Sequence, residues 1–297
     1  MKKTIVLLLA AAFLLACAGC GAGGSVKTQP SSPALVKSVT LYGVDYETQE
    51  WTEWQRTDYT YDENGFPSTV SLFWPDSDEP SVTTFDYEFR DGVPVSMSCE
   101  TDGVPHHTAE YTNGNLAQSS ECFDDGQSSR HLIYMYGNGD AYFTSVLHSS
   151  HMGAGPDEPC YNAEEYDAVK VTTENGLLRR TVNTGLYANW MDGEDREWMR
   201  FNGTYTAEYD GEGILTGTSS TFRDDQTAID YVFEVTRKDG KVVEVIRKMK
   251  TEGQEPEAEA KIVFEYTDTP VDPARYSLMI NAHIMERENN FYFYNWY

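Results

Sequence analysis

Apolar and polar residues alternate with a period of two along much of this chain. Phe85, Tyr87 and Phe89 interleave with Asp86, Glu88 and Arg90, and beyond Asp91-Gly92 the apolar positions resume as Val93, Val95, Met97 and Cys99. Ile229, Tyr231, Phe233 and Val235 repeat the pattern before Asp239-Gly240, and Ile262, Phe264 and Tyr266 close the series. Such alternation predicts strands with one apolar and one wet face. Between them stand dipeptides that tolerate positive φ and so favour tight hairpin turns. Asp91-Gly92, Asp102-Gly103, Asn113-Gly114, Asp125-Gly126 and Asn138-Gly139 recur 11 to 13 residues apart, one strand and one turn per step. Asn64-Gly65, Asn175-Gly176, Asp192-Gly193, Asn202-Gly203, Asp210-Gly211 and Asp239-Gly240 are less evenly spaced. The pattern predicts an all-β protein, an antiparallel meander of about sixteen strands built from repeated β-hairpins. The sheet is extended and curved, or partly closed; periodicity does not choose between these.

One helix interrupts the pattern. In "DPARYSLMINAHIMER", Asp272 is placed to cap, Pro273 suits the first helical position, and Tyr276, Met279, Ile280 and His283 share one side. A short helix ending near Glu288 follows, and "NNFYFYNWY" after it reads as a strand-like aromatic run.

The N-terminus is of another kind. Met1-Lys2-Lys3 precedes a charge-free apolar run from Thr4 to Ala16, a secretory signal too short for a membrane-spanning helix, which needs about 20 residues. Its exit, "LLACAGC", resembles the lipobox of bacterial lipoproteins. In that family the signal is cut before a cysteine whose thiol receives a diacylglycerol. The resemblance favours Cys17, preceded by Leu14, Leu15 and Ala16, with Cys20 as the alternative. Residues 1–16 are then the signal peptide, 17–35 a lipid-anchored Gly/Ser/Pro-rich linker, and 36–297 the β-hairpin repeat domain. The linker cannot bury enough apolar surface to fold, and its reach is on the order of 20–25 Å.

"YTYDENGFPSTV" and "YTAEYDGEGILTGT" look like YD repeats of the rearrangement-hotspot kind, with glycine three residues after the Tyr-Asp pair. The chain is similar to bacterial lipoproteins with degenerate repeats of this type. The resemblance implies structural hairpins and carries over no catalytic residue. On this reading Tyr61 packs, Asn64 and Gly65 turn, and Asp62 and Glu63 solvate the approach.

Charge and candidate chemistry narrow the function. The formal charge is −26, from 48 acids against 22 bases. Such a surface repels nucleic acid, which is excluded as a partner. Cys99, Cys122 and Cys160 in the body show neither CxxC nor zinc-ligand spacing. His148 and His151 have the spacing of a metal pair on a helix, but "SSHMGAGP" reads as loop; they and His106-His107 are expected to be solvated. The acidic stretches at Asp76-Ser77-Asp78-Glu79, Asp157-Glu158 and Asp192-Gly193-Glu194-Asp195 do not match a calcium loop. No metal site, cofactor or catalytic residue is expected. Aromatics are abundant, and Trp51, Trp54, Trp190, Trp198 and Trp296 lie among polar residues, where indole faces can stack on a glycan or peptide. The expectation is a membrane-tethered, extracytoplasmic lipoprotein with a non-catalytic binding or scaffold role. The alternative is an exported hydrolase acting on a polysaccharide or other polymer.

Mass spectrometry of the natural N-terminus tests the anchor. A diacylated Cys17 is expected, Cys20 supports the alternative, and a non-cysteine N-terminus rules out both.

Overall fold

The computed structural model describes residues 33–285 except 46–47, 113–114, 123–128, 137–142, 153–160, 175–176, 192–196, 222–227 and 252. Sixteen strands follow in chain order: β1 (Ala34–Val44), β2 (Trp51–Tyr61), β3 (Pro67–Phe73), β4 (Ser81–Arg90), β5 (Val93–Thr101), β6 (Val104–Thr112), β7 (Asn115–Cys122) and β8 (Ser129–Tyr136). Then come β9 (Phe143–Met152), β10 (Tyr161–Glu174), β11 (Leu177–Met191), β12 (Met199–Tyr209), β13 (Leu215–Thr221), β14 (Ile229–Lys238), β15 (Lys241–Lys250) and β16 (Glu257–Pro270). A single described helix, α1, spans Pro273–Met285. The strand order is a meander, as the alternation predicts, but the sheet is neither open nor partly closed. β1 pairs with β2 on one edge and with β16 on the other, and a closed barrel results. Closure removes the two edges that a meander would otherwise leave unpaired. β1 begins at Ala34, so Ala34 and Leu35 belong to the barrel rather than to the linker.

The predicted turns divide three ways. Gly65, Gly92, Gly103 and Gly240 have positive φ between hairpin strands, and so do Asp91, Asp102 and Asp239. Asn202-Gly203, expected to turn, lies inside β12 instead; Asn183 and Gly203 are cross-strand partners, and pairing with β11 overrides the local preference. The pairs at 113–114, 125–126, 138–139, 175–176 and 192–193 lie outside the described residues, as do the acids at 157–158 and 192–195.

Each of the seven hairpins at the β2–β3 end carries a register shift next to its turn, at Tyr61, Phe89, Tyr111, Tyr136, Thr173, Tyr209 and Arg237. A bulge bends its strand and re-aims a side chain. Five of these residues are aromatic, and with Tyr266 they form an inward collar at one end of the barrel. The two Tyr-Asp motifs there make the same turn. Asp62 Oδ1 accepts from the Asn64 and Phe66 amides (2.9 and 2.8 Å), and Asp210 Oδ1 from the Glu212 and Ile214 amides (2.9 and 3.0 Å). Gly65 and Gly213 both sit at φ 80°. Asp62 therefore organises its turn rather than merely solvating it, while Tyr61 packs as expected and donates to Val36 O (2.6 Å).

Helix α1 enters through this collar. Asp272 caps it, accepting from the Arg275 amide (3.0 Å), and Tyr276, Met279, Ile280 and His283 are all buried. Arg275 donates to Gly65 O (2.5 Å), Ser277 to Glu212 O (3.1 Å) and Asn281 to Gly213 O (2.8 Å); Asn281 also accepts from Leu215 N (2.8 Å). Deeper in, His283 meets the rings of Tyr59 and Phe264. The contacts of the helix therefore run along one side of the barrel, from the β2–β3 turn past β16 to the β12–β13 turn. The helix is described as far as Met285; the expected end near Glu288 and the aromatic run after it, Trp296 included, lie outside the described residues.

Asn281→Leu keeps the side-chain volume but orphans the Leu215 amide and the Gly213 carbonyl. Each buried group left unpaired costs on the order of 1–3 kcal/mol. The urea midpoint should fall accordingly; an unchanged midpoint would show that α1 is not seated by Asn281.

Candidate functional site

The alternation gives the barrel wall two chemically distinct faces. Inward stand Met97, Leu132, Val146, Val169, Phe233, Val245, Ile262 and Phe264, all buried. Outward stand Lys37, Asp86, Glu88, Arg90, Lys170, Glu208, Glu234 and Glu265, all exposed.

Two features depart from that division, and they share the same strands. On the outer face of β8–β12 lies a groove of about 760 Å³. Its floor comes from register: Ile133 faces Leu147, Leu147 faces Ala168, and Tyr166 faces Leu186. Ile133 (48% exposed), Leu147 (44%), Tyr166 (50%) and Leu186 (40%) leave apolar surface open to water on an otherwise polar wall. His131 and Arg200 close the rung of Tyr166 at its two ends. Trp198, 43% exposed, packs its indole against Tyr166 with ring centroids 5.8 Å apart.

Behind this groove, on the inner face of β9 and β10, sits a titratable cluster. His148 and Asp167 are direct cross-strand partners, and His148 Nδ1 lies 2.7 Å from Asp167 Oδ1 with both side chains buried. Glu165, two residues before Asp167, shares its face, and ligand atoms of the three lie within 4.8 Å of one another. Burial pushes the Glu165 carboxyl pKa up and Asp167 adds to this, against the opposing charges of His148 and Arg130. The donor set of one imidazole and two carboxylates is one that can hold a divalent metal.

This placement corrects the reading of His148 as a solvated loop residue. "HSSH" belongs to β9 rather than to a loop, and His148 is buried there. His106-His107 lies in β6. Of the singled-out tryptophans, Trp54 is exposed and covers Gly43, Trp51 is half-buried, and Trp190's side chain lies outside the described residues. Trp74, which sequence reasoning passed over, is 49% exposed. Trp54, Trp74 and Trp198 all lie toward the end of the barrel opposite α1. Cys99 is buried, and Cys122 and Cys160 lie outside the described side chains. Cys17 and Cys20 precede the described residues.

No family model matches the chain, and no curated protein matches it. Among solved structures it is similar to a porin-like protein from Bacteroides vulgatus, at 10% identity and a TM-score of 0.46, covering 79% of this chain and 99% of that one. A likeness at that level supports no conclusion about this chain. Among the described residues no helix is long and apolar enough to cross a membrane, which leaves strands to be judged by their faces.

A carboxyl whose folded pKa is raised stabilises the fold fully below its unfolded pKa, and that contribution is lost as pH rises through the folded value. Glu165→Gln should therefore melt higher than the parent at neutral pH, with the difference shrinking toward pH 4, in chelator-treated samples followed by calorimetry. A difference independent of pH would place Glu165 in solvent.

Proposed function

We propose that the protein is a membrane-tethered, extracytoplasmic lipoprotein with a non-catalytic binding role. Its anchor is a lipidated Cys17 (alternatively Cys20), and its body is a barrel of degenerate YD-type hairpins standing in water. The observation that carries this reading is the polarity of the wall. A barrel that spans a bilayer turns a continuous apolar band about 25 Å tall toward lipid and keeps polar residues inside. Here the order is reversed, with charged residues outward on β1, β4, β10, β12, β14 and β16 and aliphatic residues inward. A charged side chain on a lipid-facing wall costs about 2–4 kcal/mol at mid-bilayer. Several such charges together outweigh what the outer apolar patch on β8–β11 could recover.

The ligand surface is the outer groove. Tyr166 and Trp198 offer ring faces beside an aliphatic floor, an arrangement that suits the apolar face of a sugar or the side chains of an extended peptide. Hydrolysis is not favoured there, because the groove floor is aliphatic and the one carboxylate that borders it, Asp167, is engaged by His148.

Two measurements test this reading. The chain from Ser32 onward, exported behind an ordinary cleavable signal, should be recovered in the soluble fraction without detergent; a requirement for detergent would mean that the barrel itself meets lipid. In glycan and peptide array binding, Tyr166→Ala and Trp198→Ala should each weaken any captured ligand about tenfold, whereas Trp74→Ala should not; equal losses at all three would remove the groove from consideration.

A further inference from the structure

The cluster of β9 and β10 borders the outer groove, whose lining includes His148 and Asp167, but its chemistry points elsewhere. From His148, Glu165 and Asp167 we infer a binding site for a single zinc-class divalent cation inside the barrel wall. Antiparallel register makes the site. His148 stands directly opposite Asp167, and the period of two brings Glu165 onto the same face one rung further along. The three donors come from two adjacent, fully paired strands, so their positions are held by backbone hydrogen bonding rather than by a loop. A cation about 2.1 Å from each donor needs those donors roughly 3.4 Å apart in tetrahedral geometry. The His148–Asp167 pair at 2.7 Å must open by about 0.7 Å to reach that separation, and no pair exceeds 4.8 Å.

Electrostatics favours occupancy. Two carboxylates enclosed beside an imidazole repel one another, and a dication neutralises both at once. Arg130 on β8 and Ser150 on β9 flank Glu165, and His148 meets Asp167. The donor set also selects the metal. Calcium takes six to eight oxygens and magnesium keeps most of its water, whereas one nitrogen and two carboxylates with an open position suit zinc and its first-row neighbours.

The test uses the full chain, extracted in detergent and stripped with chelator. Titration calorimetry with zinc chloride should show one saturable site of micromolar or tighter affinity, and calcium or magnesium chloride should give none of comparable strength. His148→Gln, Glu165→Gln and Asp167→Asn should each weaken zinc binding tenfold or more, with the near-ultraviolet circular dichroism of the parent retained. Cobalt(II) should give ligand-field absorption that His148→Gln abolishes. If substitution of the buried pair disturbs the fold, the less enclosed Glu165→Gln decides. Unchanged zinc affinity in a folded Glu165→Gln variant, or the absence of saturable binding in the parent, would overturn the inference.

Discussion

A barrel of sixteen strands encloses more space than its own wall side chains fill, and that constraint governs the rest of the structure. An empty apolar interior would forfeit contact energy along its whole length. The interior here is apolar, so water cannot fill it without loss. Helix α1 answers the constraint by burying eight of its residues, from Tyr276 to Met285, with Met279, Ile280, Ile284 and Met285 among them. Burial of Met279, Ile280 and Ile284 contributes about 1.5–3 kcal/mol each. The hydrogen bonds to Gly65, Glu212, Gly213 and Leu215 contribute less in net terms, about 1 kcal/mol apiece. Their role is to fix depth and rotation, because an apolar rod in an apolar tube otherwise has no preferred register.

That division of labour explains why the two Tyr-Asp turns matter beyond turning. In each, an aspartate takes up two backbone amides, which frees nearby carbonyls to face the helix. Gly65 O and Gly213 O then accept from Arg275 and Asn281. Asp210 is further held by Arg237 of β14. The turns are thus the socket, and the bulged aromatics beside them are its lining.

Much of the fold was legible because it is local. Period-two alternation identified the strands around Asp91 and Asp239, the dipeptides with positive φ placed their turns, and Asp272-Pro273 located the start of α1. Closure was not legible, since it depends on β1 meeting β16 across more than two hundred residues, through pairs such as Leu41 with Ile262. Gly203 misled for a related reason: its neighbours on β11 supply partners that no local window contains. The bulges beside the collar could have been suspected from aromatics that precede the turn residues, as in "YTYDENG" and "YTAEYDGEG".

The site was hidden for a stricter reason. His148 and Asp167 are nineteen residues apart, and their contact exists only once β9 and β10 take one register out of several. A slip of a single residue would send His148 inward against an outward Asp167. The same register sets Leu147 beside Ala168 and Tyr166 beside Leu186 on the other side of the sheet. One pairing thus builds an enclosed polar cluster and an exposed apolar groove back to back, each the inverse of the face that carries it. On the inner face a polar cluster needs every member paired or neutralised, which restricts β9 and β10 to that register. On the outer face an aliphatic floor has no such demand, and its cost in water is small enough to persist where a partner recovers it. The wall between the two is a single sheet, so whatever orders His148 and Asp167 also flattens and fixes the groove behind them.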